Sequence, residues 1–183
     1  MENSARVSSR RVYTGRVLNL DIDSVRFPDG SQGELEIIRH SGASAVVPLL
    51  DEPTERDPRV VLIRQYRYAA DGYVYEIPAG RLDEGESPLA CAHRELEEET
   101  GYRAADVKPL ITVYTTPGFT DERIHLFLAT GLTSGQERRE RDEFLTLITL
   151  PLSQVVQMIE RGEICDGKTV VALLFVAAFS RDV

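Results

Sequence analysis

Glu95, Glu98 and Glu99 crowd into five consecutive positions of the segment 79–102, AGRLDEGESPLACAHRELEEETGY. On a helix, side chains four apart lie one above the other and side chains three apart flank the same face, so Glu95 and Glu99 stack and Glu98 stands beside them. Like charges so placed repel, and near the end of a helix they also oppose its dipole. Something positive must offset this arrangement. Hard divalent cations such as Mg²⁺ take oxygen ligands and bind through a few carboxylates together with substrate phosphates. The chemistry these residues point to is therefore metal-assisted reaction at a phosphate, with Arg94 neutralising part of the charge. A solvated acidic face would explain a bare run of glutamates, and Glu97 is read that way. For the other three, the turn-forming glycines Gly80 and Gly85 ahead of the run and Gly101 just after it argue for a built site.

The helix that must carry these groups is predicted over Ser87 to Thr100. Ser87 is suited to the N-cap, Pro88 to the first helical position and Gly101 to the C-terminal cap. At about 100° per residue, Leu89, Ala92 and Leu96 form its core stripe. Around it the pattern predicts strands over Val12–Phe27 (one or two), Glu34–Arg39, Ala45–Leu50, Val60–Tyr66, Tyr73–Ile77, Leu110–Tyr114, Ile124–Ala129 and Phe144–Leu150. Pro28-Asp29-Gly30 is a turn and Asp51 to Pro58 a surface loop. Helices are predicted over Leu152–Arg161 and Val170–Phe179. Strands mixed with a few helices imply an α+β chain built as an α-β-α sandwich of mixed sheets, extended at its N-terminus by a β-hairpin.

The spacing Gly80, Glu86, Arg94-Glu95-Leu96, Glu98-Glu99, Gly101-Tyr102 resembles the Nudix box at every fixed position. That box runs Gly, five residues, Glu, seven residues, Arg-Glu, an apolar residue, any residue, Glu-Glu, any residue, Gly, and an apolar residue. The resemblance implies a Nudix fold whose loop-helix-loop binds Mg²⁺, or Mn²⁺ in its place. It implies Glu95, Glu98 and Glu99 as metal ligands, joined by the backbone carbonyl of Ala79, and Arg94 with Glu86 as a pair bracing loop against helix. Glu98 is also counted with the catalytic groups.

Three features outside the box resemble the ADP-ribose pyrophosphatase branch. Pro117 follows Tyr102 by fifteen residues, in the setting Thr116-Pro117-Gly118-Phe119-Thr120-Asp121-Glu122. Arg64-Gln65-Tyr66-Arg67-Tyr68 precedes Tyr75-Glu76-Ile77-Pro78-Ala79-Gly80; the resemblance gives Arg67 a phosphate contact, for which a planar guanidinium is suited. Glu76 and Glu122 fall near the nucleoside, and Gly118 and Phe119 join the substrate-binding set. Finally, Glu140-Arg141-Asp142-Glu143 enters a strand where the branch carries a loop glutamate that assists the attacking water. Glu143 is the best match, with Glu140 and Asp142 as alternatives. The reaction implied is hydrolysis of ADP-ribose to AMP and ribose 5-phosphate. Rival readings are another nucleoside diphosphate sugar such as ADP-glucose or GDP-mannose, a nucleoside triphosphatase, a non-catalytic nucleotide-sugar sensor and a structural metal-binding module.

Length and composition agree with one domain of an ordinary soluble globular protein. The 183 residues suffice for one sizeable core, and the net charge of −9 argues against a non-specific nucleic-acid binder. No run reaches the roughly 18 apolar residues of a membrane span, and MENSARVSSRRVYTGR lacks the apolar stretch of a secretory signal. A cytosolic protein without membrane or nucleic-acid partners is expected. Cys91 and Cys165 have no metal-ligand spacing and are read as reduced thiols. Residues 1–42 are assigned to a β extension and 43–183 to the hydrolase domain. The resemblance implies that the extension packs across a homodimer, with Tyr13, Val17, Val25 and Phe27 available for apolar contacts.

Overall fold

A computed structural model describes residues 5–135 and 145–179. The chain divides into two compact units: Met1–Gly42 with Tyr114–Arg123, and Ala43–Val113 with Ile124–Val183.

In the first unit β1 (Arg6–Thr14), β2 (Asn19–Arg26) and β3 (Gln32–Arg39) form a sheet in that order, each antiparallel to the next. The extension thus has one strand more than the predicted hairpin. β1 gives little warning of itself because all nine of its residues are exposed, so no alternation in polarity marks it. The turn expected at Pro28-Asp29-Gly30 is present: Phe27 N–H bonds Ser31 O at 2.8 Å, and Asp29 Oδ1 accepts from Ser31 N at 2.9 Å. Asp21 and Asp23 are buried along β2, and Arg39 donates to both.

The second unit holds β4 (Ala43–Pro48), β5 (Arg59–Arg67), β6 (Gly72–Glu76), β7 (Ala79–Arg81), α1 (Pro88–Thr100), most of β8 (Tyr102–Tyr114) and β9 (Arg123–Ser134), β10 (Leu145–Pro151), α2 (Leu152–Glu160) and α3 (Gly167–Phe179). One sheet has the order β7-β4-β9-β8, with β4 antiparallel to β7 and parallel to β9; the other has the order β10-β5-β6 and is antiparallel. Every residue of β4 is buried. Because successive strand side chains point to opposite faces, β4 and β9 serve two cores. Val46, Phe127 and Ala129 pack with Ala92 and Leu96 of α1. Ala45, Val47, Leu126 and Leu128 pack with Val60 and Leu62 of β5, Val155 and Met158 of α2, and Leu173 and Val176 of α3. Helices therefore cover mixed sheets on both sides, the α+β sandwich expected. None of the described helices is long and apolar enough to cross a membrane.

Pro78 marks the point where the chain changes sheets. Glu76 closes β6 against β5, and Ala79 opens β7 against β4. Proline has no N–H to give a ladder, yet its carbonyl is used, accepting from Val46 N at 3.0 Å. This crossing delivers Ala79 and Gly80 to the edge of α1.

Candidate active site

The box helix is capped as its sequence predicts. Ser87 Oγ accepts from Ala90 N at 3.2 Å, Pro88 occupies the first turn, and Gly101 ends the helix with φ 70°, where a side chain would be strained. Its buried face differs from the predicted stripe. Leu89 is exposed, while Cys91, Ala92, Glu95, Leu96, Glu99 and Thr100 are buried. These form two adjacent rows at four-residue spacing, 91-95-99 and 92-96-100. Two of the box glutamates thus lie on the inward side of the helix, beside Leu96. Glu97 is also more than a solvated charge, since Arg103 Nη2 donates to its Oε1 at 2.6 Å.

Arg94 organises the carboxylates. Its Nε and Nη2 bond the two oxygens of Glu86 at 2.9 and 2.8 Å, and Nη2 also reaches Arg81 O at 3.0 Å. This is the loop-to-helix brace expected. The hydrogen bond from Arg94 holds the Glu86 carboxyl down at about 2. The remaining nitrogen, Nη1, lies 2.5 Å from Glu95 Oε1 and 3.2 Å from Glu98 Oε2.

Glu95 and Glu99 meet β7. Ala79 N–H donates to Glu99 Oε2 at 2.9 Å. A Cβ on Gly80 would fall 1.8 Å from Glu95 Oε1, so the first glycine of the box leaves room for that carboxylate. Among the described residues, no three His, Cys, Asp or Glu side chains converge on a metal-sized centre, and Arg94 bridges two of the three glutamates. The donor set nevertheless fits a hard divalent cation. Its groups are carboxylate oxygens on a capped helix, against a strand whose backbone approaches within one hydrogen bond, and positive charge is already stabilised between Glu95 and Glu98. Glu95, Glu98 and Glu99 would hold such an ion, with Arg94 bound to Glu86 beside them.

Three residues before Ala79, Glu76 lines a cavity of about 440 Å³ with Arg67, Val74, Cys165, Asp166 and Lys168. Arg67 Nε and Nη2 donate to the two Glu76 oxygens at 2.7 and 2.8 Å, and Lys168 Nζ reaches Oε2 at 2.5 Å. Burial pushes the Glu76 carboxyl up, but Arg67 and Lys168 outweigh it and leave the group below its ordinary value. The Arg67 guanidinium is raised by its bonds to Glu76, with Glu99 and Asp166 adding to the effect at longer range. Lys168 and Asp166 are additions to the residues read from sequence. Asp166 caps α3, accepting from Thr169 N at 3.1 Å and Thr169 Oγ1 at 2.6 Å, and Thr169 Oγ1 in turn accepts from Ile77 N at 3.0 Å. An aspartate three residues ahead of a threonine at the start of an apolar helix is a capping signal that would have pointed here.

Gly118, Phe119 and Glu122 belong to the other unit. They sit on a turn closed by Thr115 Oγ1 on Glu122 Oε2 at 2.8 Å and by Phe119 N on Thr116 O at 3.1 Å. Asp121 fixes this turn to the end of β3, accepting from His40 N at 2.9 Å and Arg39 Nη1 at 3.2 Å. The Phe119 ring is half exposed. Glu143, with its alternatives Glu140 and Asp142, lies outside the described residues. A second cavity of about 370 Å³, walled by Pro53, Pro58, Leu152, Val156 and Val176 among others, contains none of the box residues.

Residues 40–173 match the family model described as NUDIX domain. The chain is 40% identical over 171 residues to a Bacillus methanolicus protein named methanol dehydrogenase activator, covering 92% of this chain and 90% of that one. It is 36% identical over 171 residues, with the same coverage, to a Bacillus subtilis (strain 168) protein named ADP-ribose pyrophosphatase. A crystal structure titled ADP compounds hydrolase superposes with a TM-score of 0.82 over 100% of this chain and 96% of the other; at 22% identity it speaks for the fold alone.

Proposed function

Because this chain belongs to the NUDIX family, we propose that it is a Mg²⁺-dependent hydrolase that cleaves the pyrophosphate bond of ADP-ribose to give AMP and ribose 5-phosphate. The observation that carries this reading is the placement of Glu95 and Glu99 against Ala79 and Gly80, with the cavity of Arg67 and Glu76 lined by the strands just before them. The similarity to a pyrophosphatase for ADP-ribose over nearly the whole chain supports the choice of substrate.

In this reading Glu95, Glu98, Glu99 and the Ala79 carbonyl hold Mg²⁺, with Mn²⁺ as the other candidate ion. The metal supplies charge neutralisation at the phosphates and lowers the pKa of a water. The protein's own groups do the rest. Arg67 turns its guanidinium to a phosphate. Glu76, Gly118, Phe119 and Glu122 select the nucleoside and sugar. Glu143, or Glu140 or Asp142 in its place, orients the attacking water and takes its proton, and Glu98 assists at the same step. No protein nucleophile is required.

Phosphate release through a coupled phosphatase tests the reading on ADP-ribose, ADP-glucose, GDP-mannose and nucleoside triphosphates, each with Mg²⁺, Mn²⁺ or EDTA. ADP-ribose is expected to lead by about tenfold or more, a margin of ~1.4 kcal/mol. A different leading sugar nucleotide would replace the substrate and keep the chemistry. A second reading, regulation of another enzyme through nucleotide binding, is favoured by the relative named as an activator. It predicts ADP-ribose binding with no turnover of any compound on the panel.

We also propose a cytosolic homodimer that binds neither membrane nor nucleic acid. Support for self-association comes from the exposure of the apolar side chains Val7, Val12, Tyr13, Val17 and Leu35 in the N-terminal extension. Sedimentation at micromolar concentration is expected to give twice the chain mass; a stable monomer would refute the dimer.

A further inference from the structure

Glu76 is held by two cations of unequal freedom. Arg67 is 44% exposed along its side chain, whereas Lys168 is 12% exposed. Lys168 is also tied from behind, donating to Asp166 Oδ2 at 3.0 Å, and Asp166 is fixed as the cap of α3 by the Thr169 backbone and hydroxyl. Lys168 is therefore the anchored partner of Glu76. Arg67, the more exposed of the two, is the partner able to leave.

Leaving matters because Arg67 now spends two of its donors on Glu76. Its Nε–Nη2 edge can reach a phosphate only by giving up at least one of those bonds, and its remaining Nη1–Nη2 edge can do so only by sharing one charge between Glu76 and the phosphate. A buried carboxylate stripped of its counter-charge is strongly destabilising, so with Arg67 as sole partner the exchange would be opposed. Lys168 offsets that cost, since its ammonium already lies 2.5 Å from Glu76 Oε2. We propose that Lys168 is a positioning residue: it keeps Glu76 paired and so frees Arg67 to bind a phosphate of the substrate. The proposal rests on the reading of Arg67 as a phosphate contact.

A double-mutant cycle tests it. Lys168→Met and Lys168→Arg are made in the wild-type and Glu76→Gln backgrounds. Affinity for α,β-methylene-ADP, a diphosphate resistant to hydrolysis, is measured by calorimetry with Mg²⁺, alongside KM and kcat for ADP-ribose. In the wild-type background Lys168→Met should weaken α,β-methylene-ADP binding and raise KM about tenfold or more, with kcat falling less than about threefold. Lys168→Arg should restore most of the loss. In the Glu76→Gln background, with no buried charge to hold, Lys168→Met should change affinity less than about twofold. An equal loss in both backgrounds would mean that Lys168 touches the ligand or merely shapes the cavity, and would overturn the proposal, as would no loss in either. If Lys168→Met does not fold, Lys168→Gln carries the same expectation. A wild-type protein that binds α,β-methylene-ADP but leaves ADP-ribose intact would refute the substrate reading, while the binding cycle would still decide the role of Lys168.

Discussion

A methyl group on Gly80 would stand 1.8 Å from Oε1 of Glu95 and 2.7 Å from its Oε2. Gly80 is not among the glycines with positive φ, so the requirement there is one of space and not of backbone conformation. Gly80→Ala should therefore fold and displace the Glu95 carboxylate. A shift of about an ångström in a catalytic group costs roughly 100-fold in rate, and kcat should fall by about that much while the melting temperature changes little. Unimpaired turnover would show that the close packing of Gly80 on Glu95 is incidental.

The Glu86–Arg94 brace gives the protein an acid-labile element. The hydrogen bond from Arg94 lowers the Glu86 carboxyl from 4.5 to about 2. A depressed carboxylate stabilises the fold fully above its unfolded value, and that contribution drains away as the pH falls through the folded one. Urea midpoints of the wild type should consequently drop more steeply between pH 4.5 and 2 than those of Glu86→Gln. Parallel curves would mean that the brace adds nothing to stability.

The two thiols should behave oppositely toward an alkylating agent. Burial pushes the Cys91 thiol up to about 11, so it stays protonated and enclosed at neutral pH. Cys165 is exposed and lines the cavity with Arg67 and Glu76. Iodoacetamide followed by peptide mass spectrometry should find the adduct on Cys165 alone, binding of the nucleotide sugar should weaken, and prior addition of ADP-ribose should slow the labelling. Equal modification of both thiols in the folded protein would contradict the burial of Cys91.

Among the acidic groups, Glu95→Gln and Glu99→Gln should each lower turnover by about 100-fold or more with the fold retained, losses of ~2.7 kcal/mol or more in transition-state stabilisation. Glu143→Gln should impair turnover more than it impairs Mg²⁺ affinity. A larger loss in Glu140→Gln would move the water-assisting role to that residue.

What the sequence discloses depends on the range over which each feature is determined. The helix at 88–100 is legible because its caps and glycine stop are local, set by Ser87, Pro88 and Gly101. The inward position of Glu95 and Glu99 is less so, because burial of a carboxylate depends on what the strand opposite offers, here Gly80 and the Ala79 amide. Lys168 pairs with a residue 92 positions away, and no local pattern encodes such a contact. The strands that escape detection or are foreshortened, β1, β7 and the first half of β8, lie at sheet edges. With one side unpaired and much of their surface wet, they need no hydrophobic alternation to persist.

The most direct test of the central claim is product analysis of ADP-ribose incubated with the protein and Mg²⁺. The account predicts AMP and ribose 5-phosphate in equal amounts, no products in EDTA, and a rate lowered by about 100-fold or more in Glu99→Gln. Binding of ADP-ribose without products, or a near-normal rate in Glu99→Gln, would contradict it.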